Sequence, residues 1–268
     1  MKFYKYCGAG NDFILLEDLD DLPIHTNLSE FARKLCAPHF GIGADGLIVL
    51  EPAEHDGDCK MRFFNCDGSD AELCGNGARC VCKHCCDRGI AGETQRIETP
   101  SGMVIGSRIS ENQYQICLPD PCAVREFSFG EVHGTYLELG KNGIPHAVVV
   151  ADLSEDRAKL RDFARNLRNA KDFPRGANVN LCSVKAENIL RLLTYERGVE
   201  DFTLACGSGT GATVAALTRL GTVSGRQTVV ETDGGTLTVD VNKKGLFLTG
   251  PAERVYVGET NPYIGRMR

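Results

Sequence analysis

The chain has 268 residues, a formal net charge of −6 and a hydrophobic content of 42%, enough for one large domain or two of ordinary size, with a core. No basic cluster is present to grip phosphates, which argues against a nucleic-acid partner, and no apolar run reaches the length of a membrane span. The opening "MKFYKYCGAGNDF" lacks the apolar stretch of a signal peptide, so the expectation is a soluble protein located in the cytoplasm.

In the first half, alternation and β-branched content predict strands over Phe13–Leu16, Gly46–Leu50, Lys60–Phe64 and Val104–Ile109. A 3.6-residue pattern predicts helices over Ser29–Cys36 and Ala78–Arg88. In the second half, strands are expected over Ala147–Val150, Val179–Val184, Ile189–Tyr195, Thr228–Thr232, Leu237–Val241 and Leu246–Thr249. Helices are expected there over Ser154–Arg168 and Gly209–Leu220, and "NKKG" reads as an antiparallel hairpin turn. Two of the helices, "GARCVCKHCC" and "GTGATVAALTRL", are apolar or small around most of their circumference. Such helices belong inside a core.

The halves repeat each other. "GNDFILLEDL" from Gly10 matches "GIPHAVVVADL" from Gly143, and "FARKL" matches "FARNL". "ELCGNGA" matches "LACGSGT", "IETPSGMV" matches "VETDGGTL", and "QICLPDP" matches "LFLTGPA". Five matches in one order argue for an internal duplication with a domain-sized period. The expected fold is α+β: two pseudo-symmetric domains, each a mixed, mostly antiparallel sheet wrapped around a buried helix. The first domain is set at residues 1–118 and the second at 119–255, with prolines interrupting the strand pattern between them. The tail, about 256–268, has no counterpart in the first copy and is expected to pack back on the first domain.

Each buried helix begins just after a cysteine, Cys74 or Cys206. A helix N-terminus carries unpaired N–H groups and the positive end of the macrodipole, and both favour thiolate. The following glycines let a ligand approach the backbone, whose N–H groups suit a carboxylate. Under pseudo-two-fold symmetry the two thiols would flank one small anion. One would take an α-proton and the other would return a proton to the opposite face. Two other readings compete. "GSGTGA" invites a nucleotide, but it lacks the phosphate-loop lysine and does not fit Gly-x-Gly-x-x-Gly. "CVCKHCC" invites a metal, but no second Cys-x-x-Cys turn exists to pair with it, so buried small residues are expected and no metal site. An odd total of thirteen cysteines, without an export signal, also argues against a disulfide framework.

Taken together, "GAGNDF", "GIGADGLI", "FFNCDGSDAELCGNGARC", "PHAVVV", "ANVN", "YERG" and "ACGSGTGA" resemble the diaminopimelate epimerases. These belong to the cofactor-independent amino-acid racemases of proline-racemase type, and the resemblance runs from Lys2 to the last strands. It implies Cys74 and Cys206 as the catalytic thiols, with His146 and Glu196 tuning their ionisation. It implies substrate contacts from Asn11, Asn65, Asn178, Glu196 and Arg197, and from the backbones of Gly75, Asn76, Gly207 and Ser208. No cofactor is implied. The partner is a small amino-acid substrate, and a homodimer is left open. By residue type alone, His146 is equally a strand-edge histidine, Glu196 a surface carboxylate, and Asn11 a turn former.

The implied reaction is inversion of LL-2,6-diaminopimelate to the meso form, for lysine and peptidoglycan precursors. Two departures stand out. Ile144 occupies the position where many members carry Asn, and Gly46 a position where some carry Gln. The first leaves open a racemase of the same fold acting on another amino acid, such as histidine. A cysteine-rich metal or redox protein is the alternative from a different class.

Overall fold

The computed structural model describes residues 1–17, 26–71, 73–141 and 143–261. The chain divides into two units: Met1–Ile116 with the segment from Gly250 onward, and Cys117–Thr249. Asp18, Leu19 and Glu72 of the repeated segments, and residues 262–268 of the expected tail, lie outside the described residues.

The first unit opens with the hairpin of β1 (Lys2–Gly8) and β2 (Asn11–Leu16). Helix α1 (Leu28–Cys36) follows, then β3 (Gly46–Glu51), β4 (Cys59–Asn65) and the two-residue β5 (Asp70–Ala71). Helix α2 (Gly75–Arg88) precedes β6 (Thr94–Thr99), β7 (Gly102–Arg108) and β8 (Gln113–Leu118). Pairing is antiparallel except for β2 with β3 and β4 with β6. The second unit repeats this plan. Its elements are β9 (Pro121–Phe129), β10 (Val132–Leu139), β11 (Ile144–Val150), α3 (Arg157–Arg168), β12 (Asn178–Ala186) and β13 (Ile189–Tyr195). The two-residue β14 (Phe202–Thr203), α4 (Gly207–Arg219), β15 (Thr228–Thr232), β16 (Gly235–Asn242) and β17 (Gly245–Pro251) follow. Again only two pairs are parallel, β11 with β12 and β13 with β15.

The last strand, β18 (Glu253–Glu259), runs antiparallel to β1. It holds in the first unit the place that β9 holds in the second, where β9 runs antiparallel to β10. Thus the tail has a structural counterpart, which the order of the sequence conceals. The sequence pattern also gave no sign of β1, β6, β8, β9 or β10. In β18, Val255, Tyr256 and Val257 are exposed, so ladder hydrogen bonds hold it and no core-facing alternation exists to read. The proline run near 119–121 starts β9 at Pro121, a position where the missing N–H costs least.

Alternate residues serve two layers. In β2 and β3, Ile14, Leu16, Leu47 and Val49 pack on α1 through Phe31, Ala32 and Leu35. Full burial of side chains such as Phe31 and Leu35 contributes roughly 1.5–3 kcal/mol each. In the second unit Val149, Val179 and Leu181 meet Leu160, Ala164 and Leu167 of α3. The opposite faces turn to the central helices: α2 touches β1, β2, β4, β6, β7 and β18, while α4 touches β10, β11, β12 and β16. With both faces covered, runs such as "FILL" (Phe13–Leu16) and "AVV" (Ala147–Val149) are continuously apolar.

Three expected helix starts move by two residues or more. Asp156 caps α3 by accepting the Ala158 N–H at 2.7 Å, so the helix starts at Arg157; Ser154 instead closes a turn on Asp152. Helices α2 and α4 start three and two residues before the sequence pattern suggests, at Gly75 and Gly207, because the cysteines themselves act as caps.

Candidate active site

The two cysteine caps are nearly superimposable in conformation. Cys74 has φ −119° and ψ 111°, and Cys206 has φ −114° and ψ 112°. In each, the sulfur accepts a hydrogen bond from the backbone N–H three residues on, Gly77 or Gly209, at 3.4 Å. Thiol sulfur is a weak acceptor when neutral. The contact gains strength as the sulfur takes on negative charge, and the helix dipole adds to it. The local fold therefore favours the reactive ionisation state at both positions.

In the first unit, α2 presents Cys74, Gly75 and Asn76 at its start. The Asn76 side chain donates to Asn11 Oδ1 at 2.5 Å, and Asn11 donates to Asp45 Oδ2 at 3.0 Å. Asp45 also accepts the Asp12 N–H at 3.1 Å, which ties the starts of β2 and β3 together. Asn65 pairs across from Gly46 at the end of β4 and donates to Ser69 Oγ at 2.9 Å. Asn11, Asn65 and Asn76 are thus gathered at one end of the unit with Cys74. Arg79, one turn further along α2, is fully buried. It bonds Asn76 Oδ1 at 2.9 Å and the carbonyls of Pro251 at 3.4 Å and Gly75 at 3.5 Å.

In the second unit, His146 and Asn178 are register neighbours on the parallel pair β11–β12. His146 is fully buried, and burial followed by the positive charge of Arg197 lowers its pKa from 6.5 to about 3. Its Nδ1 faces the Asn180 amide at 3.3 Å. The orientation of that amide is set by Thr194, which donates to Asn180 Oδ1 at 3.1 Å. Nδ1 is then the acceptor, and the ring proton is assigned to Nε2. No described residue accepts that proton. An orphaned buried donor is costly in a folded protein and marks a place where a ligand or an anion can be served. Asn178 Oδ1 accepts the Arg197 N–H at 2.8 Å, and the exposed Arg197 fork reaches the Arg175 carbonyl at 2.9 Å. Glu196 accepts a hydrogen bond from Thr203 Oγ1. Ser208 Oγ lies 3.4 Å from Cys206 Sγ, and Gly207 begins α4 beside them.

Each unit therefore gathers its own share of the expected residues at the start of its central helix. Sequence reasoning missed Asp45, Arg79, Asn180, Thr194 and Thr203. Two left a signal. Arg79 is a charge inside an otherwise apolar helix, and Asn180 is a polar residue two places after Asn178, on the same strand face. The cysteines of "CVCKHCC" are packing residues for the most part, Cys80, Cys82 and Cys85 being buried. Among the described residues no group of three His, Cys, Asp or Glu side chains is placed to hold a metal.

The chain shares its fold with solved proteins that include racemases and epimerases. It is similar to a probable proline racemase from Agrobacterium radiobacter K84, with a TM-score of 0.73, 16% identity, and 97% of this chain and 92% of that one covered. It is also similar to a hydroxyproline epimerase from Agrobacterium vitis, with a TM-score of 0.68, 14% identity, and coverage of 96% and 91%. In sequence, the diaminopimelate epimerase profile matches residues 3–116 and 140–255. The diaminopimelate epimerase of Aquifex aeolicus is 37% identical, with 98% of this chain and 99% of that protein covered. That of Methanothrix thermoacetophila is 37% identical, with coverage of 98% and 97%. The chain belongs to the diaminopimelate epimerase family.

Proposed function

We propose that this chain inverts one α-carbon of diaminopimelate, LL to meso, with Cys74 and Cys206 as the two acid–base groups and no pyridoxal cofactor. The observation that carries the reading is the matched pair of cysteine-capped helices. Each cap holds sulfur against an N–H at 3.4 Å, in a backbone conformation that repeats within a few degrees. Acting on one carbon from opposite sides, one thiolate removes the α-proton while the other thiol protonates the far face. The N–H groups of Gly75, Asn76, Gly207 and Ser208 stabilise charge developing on the substrate carboxylate.

In this mechanism His146 stays neutral, because burial suppresses its charge. It can donate through Nε2 without itself taking the substrate proton. Glu196, held by Thr203, supplies negative charge on the Cys206 side. Diaminopimelate carries a second amino-acid group, and Arg197 with Asn178 suits its distal carboxylate. Asn11 and Asn65 add neutral donors. The acidic sequence and the biosynthetic role of the family support a cytoplasmic location.

The test is α-proton exchange. Diaminopimelate incubated with the purified protein in D2O gains deuterium at one α-carbon without added pyridoxal phosphate. A requirement for that cofactor, or no exchange with diaminopimelate, removes the reading. Faster exchange with histidine or another monocarboxylic amino acid favours the alternative, a racemase of the same fold.

A further inference from the structure

The two cysteine caps match, but what lies one turn along their helices does not. Counting five residues from each cap, α2 carries Arg79 and α4 carries Gly211. Helical side chains lean toward the N-terminus. Arg79 does so, since its guanidinium bonds Asn76 Oδ1 at 2.9 Å and lies 3.5 Å from the Gly75 carbonyl. The cation therefore sits beside the first turn of α2, whose cap is Cys74. At Gly211 the corresponding space is filled by Leu118 and Leu246.

Arg79 is an expensive residue in this place. It is fully buried, and a desolvated guanidinium is strongly unfavourable unless an anion offsets it. It also stands at the positive end of a helix, where a cation is disfavoured. Among the described residues no carboxylate forms an ion pair with it; its partners are an amide oxygen and two carbonyls. Asp45 reaches it only through two amides, Asn11 and Asn76. The remaining candidates are sulfurs. Burial works against the charge of Arg79, and Cys80, Cys74 and Cys82 work for it. Burial pushes the Cys80 and Cys82 thiols up, which keeps them protonated. Cys74 alone of the three is partly exposed and sits on a helix N-terminus.

We propose that Arg79, which has no counterpart at Gly211 of α4, holds Cys74 as the resting thiolate of the pair, so that Cys206 serves as the thiol. The inference rests on the two-thiol reading above and deepens it by assigning each sulfur its state before substrate arrives. One base and one acid must be ready together, and two identical caps could not distinguish them. Arg79 acts through Cys74 and touches no substrate. Among the described residues, the charged or titratable groups facing this end of the unit include Cys80 and Cys82 on α2 with Cys7 on β1, Lys5 on β1 with Asp12 on β2, and Asp45 just ahead of β3. Lys5 is committed to Asp12 at 2.6 Å. On β18, Arg254 lies 3.8 Å from Asp87.

Iodoacetamide labelling from pH 5 to 9.5, resolved by peptide mass spectrometry, reads each thiol's midpoint without substrate. Access changes the labelling rate, whereas the midpoint reports ionisation. In the wild type the Cys74 midpoint lies below that of Cys206. Arg79→Gln keeps hydrogen-bonding capacity, removes the charge, and raises the Cys74 midpoint by about one pH unit, a tenfold loss of thiolate below the midpoint. The Cys206 midpoint stays in place, and Arg79→Lys restores most of the shift. A wild-type Cys206 midpoint equal to or below that of Cys74 overturns the proposal, and this comparison decides even if neither variant folds. An Arg79→Gln protein that loses activity while its Cys74 midpoint stays put shows a merely structural arginine and also overturns it. Failure of the functional reading looks different: the labelling pattern holds, but diaminopimelate gains no deuterium.

Discussion

The two units share one plan but surround their cysteines with different chemistry. Strand register makes the comparison residue by residue. Phe13 and His146 occupy equivalent places, opposite Gly46 and Asn178 on the parallel pairs. Ile48 is equivalent to Asn180 and Phe63 to Thr194 by the same register. So the sheet beneath α2 is apolar where the sheet beneath α4 carries a chain of neutral hydrogen bonds, Thr194 to Asn180 to His146. Conversely, the first unit has Asn11 and Arg79 where the second has Ile144 and Gly211. Helix α2 carries a buried cation that α4 lacks, and the sheet beneath α4 carries neutral hydrogen-bonding groups that the sheet beneath α2 lacks. Duplication supplies two matched helix starts, and divergence of the surrounding residues makes them unequal, as the proposed pairing of one acid with one base requires.

The largest expected effect comes from removing either member of the pair. Cys74→Ala and Cys206→Ala each lower turnover by at least ~10²–10⁴-fold, the range of general acid–base catalysis, while circular dichroism shows an unchanged fold. If one variant keeps near wild-type kcat, the two halves are not functional equivalents and a one-base mechanism replaces the proposal.

Next comes Arg197, exposed in the second unit and anchored through Asn178. Loss of a hydrogen bond to a charged group costs about 1.5–3 kcal/mol, so Arg197→Met lowers kcat/KM for diaminopimelate by roughly 10- to 150-fold. Its effect on a monocarboxylic amino acid is slight. Equal losses for both substrates would place Arg197 outside distal recognition.

Much of this was legible beforehand, and the limits have physical causes. The cysteines, the duplication and the buried helices are local patterns: a residue type next to glycines, five ordered matches, an apolar circumference. Asp45, Asn180 and Thr194 are different. Each draws its role from a residue distant in sequence, as Asp45 does from Asn11 and Thr194 from Asn180. Spacing along the chain cannot reveal such a partner. Strand β18 escaped for the same reason, because its place is set by pairing with β1 at the other end of the chain.

The cap glycines sharpen the comparison through stability. A Cβ at Gly209 would stand 2.3 Å from Asn180 Oδ1 and 3.0 Å from Thr194 Oγ1, whereas one at Gly77 would meet Ile48 Cδ1 and Met61 Cε at 3.2 Å. The first contact falls on a buried hydrogen-bonded amide, the second on the ends of flexible side chains. Gly209→Ala therefore costs about 1–3 kcal/mol through overpacking. Gly77→Ala stays within roughly 1 kcal/mol of neutral, since alanine's helix preference offsets small shifts. Thermal midpoints of the two variants check this; an equal or larger loss at Gly77 would contradict the view that polar packing beneath α4 is the tighter of the two.

His146 gives the second unit a pH signature. Its folded pKa, about 3, lies below the ordinary 6.5. The unfolded chain therefore binds a proton that the folded one refuses. The resulting stability is complete above about pH 6.5 and is lost as pH falls from there toward 3. At full effect the slope is one proton, about 1.4 kcal/mol per pH unit. His84 in the first unit shifts in the same direction, by burial opposed by Glu17, and adds a slope of the same sign. Carboxylates lowered by ion pairing enter only nearer pH 4. Urea midpoints between pH 6.5 and 5 decline less steeply in His146→Gln than in the wild type. Identical slopes would mean that His146 takes up its proton in the folded state.

The smallest effect is expected at Ile144, the second-unit counterpart of Asn11. Asn11 is held between Asn76 and Asp45, whereas Ile144 starts β11 with an apolar side chain opposite Leu139. An Asn in its place would find no equivalent of Asp45, because the matching position on the second unit is Ala177, just before β12. A new amide there would have only substrate or water as its partner. One neutral hydrogen bond to substrate contributes about 0.5–1.5 kcal/mol net, and ordering the Asn side chain offsets part of that. Ile144→Asn therefore raises kcat/KM for diaminopimelate by no more than about threefold, through KM rather than kcat, because a neutral bond of this kind strengthens ground-state and transition-state binding alike. A gain of a hundredfold, or a change of preferred substrate, would show that Ile144 selects a different amino acid and that Arg197 is not the dominant determinant of specificity.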